Sequence, residues 1–299
     1  MEKAQRVHGK GKAVLRAYGT EVAFEEMSYT YPLKLLSPKT SASKPIAIVY
    51  AMSYGGGLVG GDHIDLEIDV GAAAGLVVLT QGSTKVFKTR PHSYRPSSLS
   101  ASDLTTQALH VNVASRGSFF LLPEFVTCFK DAQYNQSQKF QFHEDSTVVV
   151  LDWITSGRLS LGEQWSFTRY RSTNEFWMSG KRVAKDVLLL DDSQSNLPPL
   201  GPRPLESRLY PYSCFATLFL FGSDVQNIVN SLNNDLANVS QFQSPSPMDL
   251  IWSLSSCGGH GTVVRLAATE AQMIRLWLRT ALGPLKDVIG IDIFEKAFI

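Results

Sequence analysis

Several groups of side chains in this sequence have the types and spacing that reactive sites require. Gly55-Gly56-Gly57-Leu58-Val59-Gly60 satisfies G-x-G-x-x-G, the pattern that cradles a dinucleotide pyrophosphate. That chemistry needs the glycine turn to open a helix whose N-terminus faces the phosphates. Here the turn opens His63-Ile64-Asp65-Leu66-Glu67-Ile68-Asp69-Val70, where apolar and polar residues alternate with the period of a half-buried strand. No G-x-x-x-x-G-K-[ST] loop occurs elsewhere, so a nucleotide site is not expected. Glycines 55, 56, 57, 60 and 61 instead mark a tight structural turn, with Asp62 at its mouth. Alternation puts His63, Asp65, Glu67 and Asp69 on one strand face, where oxygen and imidazole ligands for a hard or borderline cation would meet. A solvated strand face accounts for the same pattern.

Asp152 and Glu163 bracket DWITSGRLSLGEQW, and two carboxylates across a glycine-containing turn are the pair that glycoside hydrolysis uses. Spacing along the chain does not set their separation in space, and carboxylates at hairpin ends are common. Cys257-Gly-Gly-His260 is half of a tetrahedral Zn or Ni site, but no second Cys/His pair lies nearby. A glycine turn before a strand at 262–266 is the plainer reading. Neither G-x-S-x-G nor H-E-x-x-H is present.

The elements that must position these groups are mostly strands. Segments 46–51, 63–70, 76–80, 108–114, 147–153, 165–170 and 187–190 are short, β-branched or aromatic, and separated by Gly, Ser, Pro or Asp. Such spacing predicts a mainly β fold of stacked, β-helical or sandwich-like sheets rather than a parallel α/β sheet. Residues 193–211 carry five prolines and predict an exposed loop. A further strand is expected over 214–221, and a second Ser/Pro/Asn-rich connector over 233–247. About two helices are expected toward the C-terminal part. One runs 224–237 behind Ser223 as N-cap; the other starts at Thr269, where Gln272 completes a capping box, and stops at Gly283-Pro284. The apolar residues of this last helix cover roughly 240° of its surface, against about 100° for a single core face. It is therefore either nearly buried in its own fold or shared with a partner. The tail VIGIDIFEKAFI is more apolar than a free C-terminus needs to be.

Composition narrows the classes. The 299 residues suffice for one large β domain, and 44% are hydrophobic. Charged residues make up 18%, below the roughly 25% usual in soluble domains, which hints at surface covered by partners. The formal net charge of +1 supplies no field for nucleic acid or acidic lipid, and the basic run Lys3, Arg6, Lys10, Lys12 reads as a solvated tail. No secretory h-region and no apolar stretch of about 18 residues is visible. Cys128, Cys214 and Cys257 are odd in number and far apart, which fits a reducing compartment and a cytoplasmic protein.

Five blocks in order carry a resemblance: YPLKLLSP from Tyr31, YGGGLVGGD from Tyr54, TQGSTKVFK from Thr80, LPEFVTCFKDAQY from Leu122 and GRLSLGEQW from Gly157. With weaker similarity over 263–285, they resemble the urease accessory protein UreD family, also called UreH. The resemblance implies one UreD-like β-rich domain over 1–299 that is not an enzyme. It implies a protein that binds apo-urease and, with UreF- and UreG-like partners, assists nickel insertion into the urease active site. It implies no tightly bound cofactor, only Ni²⁺ in transit; the UreG-like partner is the GTPase, in keeping with the missing P-loop here. A Ser-rich insert near 96–103 and the proline-rich segment 193–211 depart from the pattern. A conduit must release its ion, so carboxylates, hydroxyls and water suit it better than thiolates. On that ground Asp62, Asp131 and Glu163, with Ser83 and Thr84, are the candidate path, each with a structural hydrogen bond as its alternative role. Lys85 and Arg158 are placed to pair with those acids. Met273, Ile274, Trp277 and Leu278 are expected to contact a UreF-like subunit or to pack beneath the surface that does. The competing expectation is a carbohydrate-binding β-sandwich or a glycoside hydrolase using Asp152 and Glu163.

Overall fold

The computed structural model describes residues 8–39, 44–88, 104–191, 203–238 and 249–298. The chain begins with β1 (Lys10–Tyr18), β2 (Glu21–Tyr29), β3 (Leu33–Leu36), β4 (Ile46–Ser53), β5 (His63–Val70) and β6 (Gly75–Leu79). It continues through β7 (Thr84–Val86), β8 (Thr105–Val113), β9 (Ser118–Leu121), β10 (Val126–Cys128), β11 (Gln133–Phe142) and β12 (Thr147–Thr155). Then come β13 (Arg169–Met178), β14 (Lys181–Asp191), α1 (Leu205–Leu209), β15 (Cys214–Phe221) and α2 (Gln226–Asn238). The last elements are β16 (Leu250–Ser256), β17 (Gly261–Ala268), α3 (Ala271–Ala281), α4 (Leu285–Ile289) and α5 (Ile291–Ala297).

Two sheets result. The first has the order β14-β13-β11-β8-β5-β1-β2; the second has β16-β17-β15-β12-β9-β6-β4-β3, with β10 beside β12 and β7 beside β10. From β4 to β6 and from β8 to β13 the chain passes back and forth between the sheets, with β9 and β10 both in the second, and neighbours within each sheet run parallel through this region. This is a β-helical stack of two sheets, flanked by the antiparallel hairpins β1–β2, β13–β14 and β16–β17. The mainly β expectation therefore holds.

Residue patterns explain the layers. Strands of the first sheet alternate: in β11, Tyr134, Gln136, Gln138, Phe140 and Phe142 are buried and their neighbours less so. Its outer face meets solvent, so polar residues tolerate it. The second sheet is covered on both faces, and β6 and β12 are buried at every position. One face of β12 (Val148, Val150, Ile154) meets the first sheet, together with Phe119, Phe140, Phe176 and Phe219. The other face (Val149, Leu151, Trp153) meets Ile274, Leu278, Leu282, Ile289 and Phe294 from the helices. Fully burying an aliphatic or aromatic side chain contributes about 1.5–3 kcal/mol, so this second core holds the helices down.

Local expectations need correction in places. Five helices form among the described residues rather than about two. The apolar tail folds into α4 and α5, whose five- and seven-residue lengths are too short to show a helical period. No capping box closes α3: Glu270 is its N-cap without a side-chain bond, and the Thr269 hydroxyl turns to the Asp249 carbonyl. Nor does Ser223 cap α2, which is preceded by a 3₁₀ turn over Ser223–Val225, while Asp224 accepts a bond from Thr147. Part of the proline-rich segment is not loop, since Leu205 is buried in α1. Likewise, 233–238 belong to α2 rather than to a connector. Residues 192–202 and 239–248, and the Ser-rich insert at 96–103, lie outside the described residues.

Candidate functional site

The parallel stack brings the connections from the second sheet to the first to one rim. They comprise 54–62, 129–132 and 156–168, together with the described part of the link that follows β7. Asp62, Ser83, Thr84, Asp131 and Glu163 all fall on or beside these crossings, although they are spread over a hundred residues of chain.

At the glycine turn, Gly55, Gly56 and Gly61 have φ of 74°, 77° and 85°, the left-handed region that glycine enters at least cost. Gly57 is extended, and its role is closeness: a Cβ there would lie 2.7 Å from the Lys85 carbonyl oxygen and 2.8 Å from the Phe87 ring. That approach lets Leu58 N–H donate to the Lys85 carbonyl and Phe87 N–H to the Leu58 carbonyl, both at 2.8 Å. Gly60 completes the turn that ends at Asp62. The Asp62 carboxylate accepts from Val59 N–H at 2.8 Å and Asp62 N–H donates to the Val59 carbonyl at 2.9 Å, a reciprocal pair that closes the turn; it is not the Asx-type turn expected, in which the carboxylate bonds an N–H further along the chain.

The other rim residues have distinct surroundings. Asp131 is exposed, at φ 62°, and its N–H donates to the Ser166 carbonyl. Glu163 accepts from Arg158 Nε at 2.8 Å and from Lys130 N–H at 3.3 Å, with a second guanidinium contact from Arg158. Hydrogen bonding from Arg158 holds its carboxyl below the usual range. The Arg158 guanidinium also lies over the Phe129 ring, 4.0 Å from its centroid. Ser83 and Thr84 are half-buried, and Thr84 N–H donates to the Phe125 carbonyl. Lys85 points to solvent.

Behind the rim, between the sheets, is a polar interior built around Asp152. Its carboxylate accepts from Ser172 Oγ at 2.5 Å, Asn174 Nδ2 at 2.7 Å and Gln136 Nε2 at 3.2 Å, with Tyr170 at 3.5 Å. Burial pushes the Asp152 carboxyl above its ordinary pKa, opposed by the bonds from Ser172, Asn174 and Gln136. A cavity of about 60 Å³ adjoins it, lined by the polar Thr80, Thr84, Gln107, Glu124, Gln136, Gln138 and Asp152 and, over most of its wall, by apolar residues such as Leu66, Leu109, Val126 and Trp153. Allowing roughly 10–15 Å³ for each water-sized sphere, this holds no more than a few waters. Two buried acceptors here, Gln138 Oε1 and Asn174 Oδ1, meet no donor among the described residues. Asp62, Asp131 and Glu163 are not among the residues lining this cavity; Thr84 is.

Sequence reasoning passed over Gln107, Gln136, Gln138, Ser172 and Asn174. The signal was nonetheless present: β11 and β13 place Gln136, Gln138, Ser172 and Asn174 on the same alternation phase as buried Phe140, Phe142, Phe176 and Met178. A polar residue on the inward phase predicts a buried network.

The remaining candidates resolve simply. Asp152 lies between the sheets and Glu163 at the rim with Arg158, so the two do not form a facing pair across a groove, and the hydrolase reading is not favoured. The Cys257–His260 segment is the β16–β17 turn, with Gly258 and Gly259 at positive φ and His260 N–H donating to the Cys257 carbonyl. On the outer strand face His63 Nδ1 pairs with the Thr106 hydroxyl at 2.6 Å, Asp69 pairs with Arg16 at 2.8 Å, Glu67 is exposed, and half-buried Asp65 has His110 at 3.9 Å. Among the described residues no cluster of three metal-ligating side chains occurs. On α3, Ile274 and Leu278 are fully buried in the core beneath the helix, the second of the two positions expected for them. Met273 is half-buried, Trp277 packs on Trp252 at 5.4 Å, and Leu276 is the exposed apolar residue of that helix. No described helix is long and apolar enough to cross a membrane.

Comparison with known proteins places the chain among its relatives. The family model described as UreD urease accessory protein matches residues 8–291. Urease accessory protein 4 of Cryptococcus neoformans var. grubii is 36% identical, covering 94% of this chain and 92% of that protein. Urease accessory protein D of Arabidopsis thaliana is 29% identical over 94% of this chain and 97% of its own length. The UreD protein of Sorangium cellulosum is 32% identical over 96% and 84% respectively. With a match spanning nearly the whole chain, this protein belongs to the UreD urease accessory protein family.

Proposed function

We propose that this protein binds apo-urease together with UreF- and UreG-like partners and hands Ni²⁺ toward the urease active site through its own interior. Membership of the family supports the broader role, urease maturation. The observation that supports the finer reading is the buried polar cluster around Asp152: Gln107, Gln136, Gln138 and Asp152 line part of a cavity that is otherwise mostly apolar, Gln138 Oε1 lacks a donor there among the described residues, and so does Asn174 Oδ1 beside Asp152. Hard oxygen ligands without thiolates bind a divalent cation weakly enough to release it. A few waters' worth of volume means that an ion entering sheds much of its shell and takes protein oxygens in exchange.

On this reading the rim residues Asp62, Ser83, Asp131 and Glu163 form the approach, and Thr84 and Asp152 the interior. Glu163 is partly neutralised by Arg158, which leaves Asp62 and Asp131 as the more available carboxylates. The half-buried Met273 and Trp277, with exposed Leu276, form the UreF-facing surface, and Ile274 and Leu278 support it from below. The protein acts as an assembly factor rather than a catalyst, in the cytoplasm, where its unpaired cysteines stay reduced.

The test is reconstitution. Apo-urease, the partners and Ni²⁺ are combined with the natural chain or with Gln138→Leu plus Asn174→Leu, and urease activity and bound nickel are both measured. Activation that needs the chain and falls with the double variant, while the complex still forms, supports the proposal. Undiminished nickel loading by the double variant removes the interior route.

A further inference from the structure

The turn that leaves β12 is braced more heavily than a simple connection requires. At its neck Trp165 N–H donates to the Ser156 carbonyl at 2.7 Å. Within it, Leu161 N–H and Glu163 N–H donate to the Arg158 carbonyl at 2.9 Å and 3.2 Å, and Gly162 N–H to the Leu159 carbonyl at 3.0 Å. Gly157 admits the returning chain, since a Cβ there would lie 2.5 Å from the Glu163 carbonyl oxygen. The Arg158 guanidinium then locks the turn, paired with the Glu163 carboxylate and stacked on Phe129. What this frame holds out is apolar: Leu159 is 53% exposed and Leu161 64%. Single exposed leucines are ordinary. Two on one 3₁₀ turn, Leu159–Leu161, whose conformation is already fixed, form an apolar knob.

The charges beside it are mostly of one sign. Lys130, whose N–H bonds the Glu163 carboxylate, is exposed. Phe129 packs edge-on against Phe87 at 5.2 Å, which brings exposed Lys85 and Lys88 to the same rim. Asp131 is an exposed carboxylate among them, while Glu163 is already paired with Arg158. We propose that the 158–163 turn is a preorganised docking knob, and that its partner is a folded protein with an apolar pocket edged by carboxylates. Leu159 and Leu161 fill the pocket, and Lys85, Lys88 and Lys130 face its acidic edge. Arg158 and Glu163 are positioning residues that hold the leucines in place, so binding does not have to order the turn. A protein pocket fits better than a bilayer, because two leucines and three lysines offset by Asp131 make a weak membrane signal. This inference rests on the assembly reading above, and it adds which end of the stack a partner covers and through which side chains.

The experiment measures binding of the full chain to apo-urease and, separately, to the UreF-like protein by biolayer interferometry at low and high salt. Leu159→Ser plus Leu161→Ser should weaken one of these complexes about tenfold or more. Lys85→Glu plus Lys130→Glu should weaken the same complex and flatten its dependence on salt. Glu163→Gln should weaken it while the leucines are present and add little once they are gone, a non-additivity that general destabilisation would not produce. Simply additive losses refute the positioning role. Unchanged affinity of the leucine variant for both partners overturns the proposal, as does leucine-dependent binding to phosphatidylserine vesicles or self-association in place of either complex. Thermal melts check each fold; should the serine variant not fold, the lysine pair decides, and its unchanged affinity for both partners is equally fatal. If the natural chain binds neither partner, the assembly reading falls too; if it binds and the leucine variant binds equally, only the knob falls.

Discussion

Replacing Gly57 with alanine tests whether the glycine turn is there for backbone contact with the neighbouring strand. Its φ of 169° is extended backbone that any residue adopts, so conformational strain contributes nothing. The cost is steric: the added methyl would sit 2.7 Å from the Lys85 carbonyl oxygen and 3.0 Å from the Lys85 Cβ, neither of which is the free end of a flexible side chain. The two segments must part, weakening the bonds that Leu58 makes with Lys85 and Phe87. At about 0.5–1.5 kcal/mol for each hydrogen bond, the expected loss is about 1–3 kcal/mol. Gly55 is the control. It has φ 74° and nothing within 4 Å of an added Cβ, so alanine there costs about 1–2 kcal/mol of backbone strain and disturbs no neighbour. Urea denaturation gives both values, and hydrogen exchange at the Leu58 and Phe87 amides separates the mechanisms. Gly57→Ala should speed exchange at both amides, and Gly55→Ala at neither. A Gly57→Ala protein with natural stability and protected amides would refute the close-approach argument.

Other substitutions probe the rest. Asp152→Asn should flatten the dependence of stability on pH: a carboxyl whose folded pKa is raised gives stability that is full below about pH 4 and lost as pH rises, and the amide removes that loss. Glu163→Gln should act in the opposite sense, removing stability that is present above about pH 4 and lost as acid protonates the lowered carboxyl; denaturation curves from pH 3 to 8 compare the two. Leu278→Ala should destabilise by about 2–5 kcal/mol because the side chain is fully buried, whereas exposed Leu276→Ala should stay within about 0.5 kcal/mol, as read from thermal melts. Leu276→Asp should reduce co-purification with a UreF-like partner without lowering the melting temperature; an unchanged yield of complex would remove α3 from the interface.

Much of the architecture is local information. The alternation of His63–Val70 follows from one solvated face, and the unbroken apolar run of Thr147–Thr155 from two covered faces, so each strand's pattern carries its place in the layers. The strand after the glycines excluded a phosphate-binding helix for the same reason. The apolar girth of α3 likewise followed from a helix that packs Ile274 and Leu278 on the second sheet while half-burying Met273 and Trp277.

What tertiary structure alone decided is which of these residues meet. Caps depend on neighbours: Thr269 has the right spacing for a capping box, but the Asp249 carbonyl, twenty residues away, takes its hydroxyl. Carboxylates with similar local sequence acquire different chemistry, since Glu163 finds Arg158 at the rim while Asp152 finds Ser172, Asn174 and Gln136 inside. Strand register sets those encounters, because it pairs β11 with its neighbour β13 along their full length and aligns Gln136 with Ser172. The sequence by itself determined alternation, layer and family; long-range pairing, whose energy belongs to no single segment, decided that Asp152, Gln138 and Glu124 border one cavity.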